Sequence, residues 1–341
     1  MSERVFKQLP TLTRRTYRGG KLLGDFLKLK NATDTNYPED WISSFVEAKN
    51  KEYVPNEGIT RVLTDQGECL ITEAVVPSDF GEGRENSGVL IKLLDAGERL
   101  GIQVHPTKEY AMEHFGTPYG KTECWYILNT RSEDACVYLG FREHVTKESF
   151  KTLFEKQDIP GMLNAMHRFE VRKGDVILVT AGTPHAIGAG CFLLEIQEPT
   201  DYTMRAEKVT VAGEVLTPQQ IHYGVGEAAM LDCFSYAGGS KEEIRERHFL
   251  RLRQVEKGVF DLVRYSDTEC FALRRIEGGE HTVQEPFFVT VVACEDGGTL
   301  SYGETAWPLV RGEKYFIGAN TAFTLKDAVA MLCYPPRLSK I

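Results

Sequence analysis

Apolar residues gather along this chain in short runs, cut by Gly, Pro, Asn and Asp. The runs VLIKLLDAG (from Val89), ECWYILNT (from Glu123), ACVYLGF (from Ala135), GDVILVTAG (from Gly174), CFLLEIQ (from Cys191), FALRRIEGG (from Phe271), FFVTVVACEDGG (from Phe287) and AVAMLCYPP (from Ala328) predict strands. Gly278-Gly279 and Gly297-Gly298 mark hairpin turns. Helical periodicity is rarer. SSFVEAKN, near residue 45, is one candidate, and 146–166 is the clearest. There Thr146 is placed as N-cap, Glu148 lies in the first turn, and Phe150, Leu153 and Phe154 share a face. Pro160-Gly161 is expected to break the element in two. Strands dominating around one helical insertion predict a mainly β protein built of barrels or sandwiches of the jelly-roll type. The strands fall in two sets, so the expected units are 1–210, with the insertion at about 146–166, a connector at 211–257, and a smaller barrel at 258–341.

Composition narrows the function. A chain of 341 residues with 42% hydrophobic residues can bury an ordinary core. A formal net charge of −9 argues against nucleic acid as the main partner. No apolar run is long enough to span a membrane, and MSERVFKQLPTLTRRTY lacks the apolar core of a secretory signal. The eight cysteines form no CxxC pair, which fits buried thiols in a reducing cytoplasm.

Candidate chemistry concentrates in the first set of strands. In GIQVHP, alternation puts Gln103 and His105 on one face. In KTECWYI it puts Lys121, Glu123 and Trp125 together. In TAGTPHAIG, His185 lies just past a strand that a barrel could bring beside the other two. Two His, a Glu and a Gln oxygen suit Zn²⁺ with an open position, and Mn²⁺, Fe²⁺ or Co²⁺ would accept the same donors. A buried His is also often a plain hydrogen-bonded core residue, so spacing alone leaves both readings open. His114 and His144 read as loop residues, His167 follows a helix, His222 and His248 fall in the connector, and His281 has no companion ligand.

The motifs GIQVHPTKEYA, GKTECWYIL, GTPHAI and LLEIQEPTDYTMR follow one another as in the type I phosphomannose isomerases, and the chain resembles the short bacterial form of that family. The resemblance is strongest over about 88–205. It implies tandem cupin-type barrels, one Zn²⁺ per chain, and interconversion of mannose 6-phosphate and fructose 6-phosphate through a cis-enediol. By motif position it implies metal ligands Gln103, His105, Glu123 and His185, with Lys121, Glu195 and Arg205 in the catalytic pocket. It departs at Gly101, where the family usually has a serine near the phosphate end of the substrate.

The chemistry is consistent with those roles. Moving a proton between C1 and C2 needs a base, and charge stabilisation for the developing oxyanion. Arg205 can clamp an enediolate or a phosphate, or pair with Asp201. Lys121 can relay a proton or balance carboxylates, and Glu195 can act as base or fix a neighbour. Competing readings are a metal-dependent isomerase of another or unphosphorylated aldose, a non-catalytic sugar-binding cupin, and an iron oxygenase. The expected partner is a small sugar phosphate, with fold stability or a homodimer contact as roles for the second barrel.

Overall fold

A computed structural model describes residues 4–337. The ends of the two expected units, 1–3 and 338–341, lie outside the described residues. Four antiparallel sheets make two face-to-face pairs. The first pair joins a seven-stranded sheet to a five-stranded one. The seven-stranded sheet runs Phe249–Leu250, Val176–Val179, Glu123–Thr130, Cys191–Gln197, Leu90–Asp95, Glu39–Ile42 and Leu12–Thr13. The five-stranded sheet runs Met166–Glu170, Cys136–Phe141, His185–Ile187, Gln103–Val104 and Met204–Arg205.

The seven-stranded sheet is buried on both faces, which is why its strands read as nearly unbroken apolar runs. Period 2 sorts their side chains. Cys124, Tyr126, Ile91, Leu93, Leu194 and Ile196 enter a core shared with Phe271, Phe288 and Phe316 of the C-terminal half. Trp125, Ile127, Leu94, Leu193, Ile177 and Val179 face the five-stranded sheet instead. Lys92, Glu123 and Glu195 carry the parity of this second set, so these three charged residues fall on one inner face.

The second sheet pair does not respect the expected division near 258. Its nine-stranded sheet contains Val5–Gln8, Arg61–Thr64 and Gly67–Leu70 beside the C-terminal strands. Val5–Gln8 pairs directly with Lys314–Ile317. The two ends of the chain therefore share one sheet, a long-range pairing that no local pattern announces.

Local expectations fared unevenly. The insertion forms helices Lys147–Lys156 and Ile159–Asn164, and Thr146 accepts a hydrogen bond from Ser149 N. The break falls at Gln157, in the left-handed region, and Pro160 opens the second helix rather than ending the first. SSFVEAKN is not helical. Ser43 has φ 48° and Ser44 N donates to Thr60 Oγ1, so this stretch runs as irregular backbone. Helix Lys108–Phe115, unforeseen, carries His114, so that residue is not in a loop. Its signals were present: Thr107 caps it, accepting from Tyr110 N, and Gly116 ends it with φ 64°.

One buried pair ties the second sheet pair to the first. Lys314 and Asp40 are 1% and 0% exposed and form an ion pair, and Asp40 also accepts from Thr11 N. Asp40 lies between Glu39 and Trp41, which face the interior of the first pair. Lys314→Met is expected to cost about 3–5 kcal/mol, because it strands a buried carboxylate. Urea unfolding should show a lower midpoint, partly recovered by adding Asp40→Asn. An unchanged midpoint in the single variant would refute the brace.

Candidate metal centre and its cleft

The five-stranded sheet supplies Gln103, His185 and Arg205. His185 pairs with Gln103 across one strand, and Arg205 pairs with Gln103 across the other. The seven-stranded sheet supplies Glu123, Glu195 and Lys92 opposite them. Glu195 is in register with Lys92 on one side and with Trp125 on the other. His105 follows the short strand Gln103–Val104.

His105, Glu123 and His185 converge, with one ligand atom from each within 4.8 Å of the others. His105 Nε2 lies 3.1 Å from Glu123 Oε2, and His185 Nε2 lies 3.5 Å from Glu123 Oε1. Each ring is oriented through its other nitrogen. His105 Nδ1 donates to Tyr202 O at 3.0 Å, and His185 Nδ1 donates to Thr183 O at 2.9 Å. Those bonds fix the tautomer that leaves both Nε2 lone pairs pointing inward. Burial first, then the Lys121 charge, pushes His105 down to about 3, and burial likewise lowers His185. Both rings are therefore neutral, as metal ligands must be. Burial would raise Glu123, but the Lys121 ammonium beside it opposes burial, and the carboxyl is held well below its usual range.

Among the described residues, neither Glu123 oxygen has a hydrogen-bond partner, although both are buried. A buried carboxylate so placed is costly unless a cation meets it. Lys121 Nζ is already drawn in, 3.0 Å from His105 Nε2 and 3.5 Å from Glu123 Oε2. The donor set of two imidazoles and a carboxylate suits a divalent metal ion. Gln103 Nε2 lies 3.1 Å from His185 Nε2, and a half-turn of that amide presents its oxygen to the same point.

Above this cluster opens a cleft lined by residues that include Lys92, Arg99, Gln103, Lys121, Glu195 and Arg205. Lys121 is lowered from its usual value, by burial first and by Lys92 next, against the pull of Glu123. Glu195 is pushed up to about 7 by burial and then by the Glu123 charge, with Lys92 and Lys121 opposing. Trp125 Nε1 donates to Glu195 Oε2 at 3.2 Å, so this residue positions a site carboxylate. Arg205 donates to Thr203 O and Gln220 O and, among the described residues, has no carboxylate partner. Asp201 pairs with Arg15, not with Arg205. Of the other histidines, His167, His248 and His281 bond backbone carbonyls, as plain structural residues do.

Sequence reasoning missed the layer behind the cluster. Lys92 bridges Glu195 at 3.3 Å and Glu39 at 3.7 Å, and lies over the Trp41 ring. Glu39 also accepts from Tyr17 and from Trp41, each at 2.7 Å, and meets Arg15. The signal was available in VLIKLL: a lysine in the middle of a doubly buried strand needs a carboxylate partner. Gly101 has no backbone requirement for glycine. An added Cβ would meet only Glu207 Oε1, at 3.9 Å, so a serine would fit.

The fold and site define a mainly β protein with a candidate metal centre beside a charged cleft between two sheets. No family model matches the chain. The mannose-6-phosphate isomerase ManA of Bacillus subtilis is 30% identical over 232 residues, 66% of this chain and 67% of that protein. A mannose-6-phosphate isomerase of Streptococcus mutans is 40% identical over 140 residues, 38% of this chain and 42% of that protein. Among solved structures, the mannose 6-phosphate isomerase from Bacillus subtilis superposes with TM-score 0.74 at 22% identity, covering 97% of this chain and 99% of that one. A zinc-bound mannose 6-phosphate isomerase superposes with TM-score 0.75 at 16% identity, covering 98% of this chain and 100% of the other. The chain belongs to the type I phosphomannose isomerase family and is an enzyme of the isomerase class. Among the described residues, no helix is long and apolar enough to cross a membrane.

Proposed function

We propose that this protein is a zinc-dependent isomerase that interconverts mannose 6-phosphate and fructose 6-phosphate through a cis-enediol. The observation that carries the reading is the inward-facing His105–Glu123–His185 cluster, whose buried carboxylate lacks a hydrogen-bond partner among the described residues. Both matched Bacillus subtilis and Streptococcus mutans proteins carry the name mannose-6-phosphate isomerase, which supports the substrate. The two sheet pairs are read as tandem cupin-type jelly rolls, the first holding the site.

Gln103, His105, Glu123 and His185 would hold one Zn²⁺ per chain. When bound, zinc supplies Lewis acidity toward the hydroxyl and carbonyl oxygens of the sugar. Lys121 has a lowered affinity for its proton and sits against the cluster, so it can pass a proton to or from those oxygens. Glu195, raised to about 7, is poised to exchange a proton near neutral pH. Its bond to Trp125 and its pair with Lys92 hold the carboxyl still. Arg205 has donors free of any carboxylate and is the group best placed to stabilise negative charge developing on the sugar.

The test compares turnover of mannose 6-phosphate and free mannose by the purified protein, with and without a chelator. Expected are preference for the phosphorylated sugar and loss of activity on chelation, reversed by added Zn²⁺. Equal or better turnover of free mannose would defeat the assigned substrate.

A further inference from the structure

We propose that Arg99 is a specificity-determining residue of the cleft: its free guanidinium edge binds the anionic phosphate at the far end of the sugar, and Glu207 positions it. The proposal rests on the isomerase reading above and deepens it.

The cations of the cleft differ in how far they are committed. Arg15 forks Asp201 and meets Glu39, Lys92 lies between Glu39 and Glu195, and Lys121 meets Glu123. Arg205 sits in register with Gln103, at the metal end. Arg99 is four residues before Gln103, on the segment that leads away from the cluster. At about 3.3 Å per extended residue its backbone lies up to about 13 Å out. A six-carbon sugar with C1 and C2 at the metal carries its 6-substituent away from the cluster, toward a side chain so placed.

The geometry of Arg99 leaves one edge open. Nη1 and Nη2 donate to Glu207 Oε1 and Oε2 at 2.5 and 2.9 Å, and Nη1 also donates to Leu100 O at 2.9 Å. A guanidinium has five N–H donors. The remaining two, on Nε and on the outer side of Nη2, form the second edge, which has no protein partner among the described residues. Two parallel donors on one edge match two phosphate oxygens. Glu207 is 3% exposed and accepts from Ile102 N at 2.7 Å, so its carboxylate is fixed and sets the guanidinium plane. It tempers the positive charge but removes the need to order a long side chain on binding. Gly101 lies between Arg99 and Gln103 on the cleft wall and offers no side chain of its own. A side-chain contact to an anion at this end must therefore come from elsewhere, and Arg99, two residues away on the same wall, offers one.

Two variants test the assignment. Arg99→Met removes the donors but leaves Glu207 buried without its cation. Arg99→Met with Glu207→Gln removes the donors and keeps an acceptor for Ile102 N, so a folded protein is retained for assay. The ratio of kcat/KM for mannose 6-phosphate to that for free mannose should fall about 10- to 100-fold in the double variant, mainly through KM, as loss of a charged bidentate contact predicts. An unchanged ratio overturns the proposal. Calorimetric binding of inorganic phosphate to the zinc-loaded protein separates this idea from the choice of substrate. Binding by the wild type that weakens at least tenfold in the double variant supports Arg99 even if mannose 6-phosphate is not turned over. Absence of binding by the wild type, or equal binding by both, overturns it.

Discussion

His185→Ala is expected to abolish stoichiometric zinc after dialysis and to lower kcat/KM by about 10³-fold or more, the scale of several kcal/mol of Lewis-acid stabilisation. His185 is fully buried, and its Nε2 is fixed toward Glu123 by the bond from Nδ1 to Thr183 O. Zinc in proteins is held most often by four donors or by three with one open position. Alanine leaves one imidazole, one carboxylate and the Gln103 amide, a set too weak to retain the ion. A second readout is independent of activity. Added Zn²⁺ should raise the melting temperature of the wild type, because the ion binds only the folded state, and should do so far less in the variant. Elemental analysis that still finds one zinc per variant chain would show that His185 is not a ligand.

How much of this was legible beforehand follows from the range of the interactions involved. The strands of the inner sheet and the parity of Glu123 and Lys121 are local properties, and period-2 alternation exposes them. Placing His185 beside Gln103 needed a pairing across some 80 residues. The ordered motifs of the family resemblance supplied it, and the register agrees. Lys92, Glu39 and Arg15 stayed hidden because each makes sense only through a partner far along the chain. The sharing of one sheet by Val5–Gln8 and Lys314–Ile317 was hidden for the same reason. The error at SSFVEAKN was of another kind. Helical spacing there was outweighed by side-chain-to-backbone bonds from Ser44 and Thr60, which hold the stretch out of a helix.

The second large effect is expected at Arg205. Arg205→Ala should lower kcat by about 10²- to 10³-fold, the loss typical of removing one preorganised donor from a developing oxyanion. KM, zinc content and melting temperature should change little. The reason is structural: Arg205 Nη1 donates only to the backbone oxygens of Thr203 and Gln220, so its removal strands no buried carboxylate. That distinguishes it from Lys92 or Arg15, whose loss would uncover Glu39 or Asp201 and confuse folding with catalysis. Arg205→Lys keeps the charge but not the planar fork, and should recover only part of the rate. If instead KM rises tenfold and kcat is retained, Arg205 binds ground state and transition state alike. The phosphate contact would then belong to Arg205, and the selectivity ratio would collapse in Arg205→Ala rather than in the Arg99 variants. The two arginines thus make opposite predictions for the same pair of sugars, and measuring both variants on both sugars assigns chemistry and anchoring to separate residues.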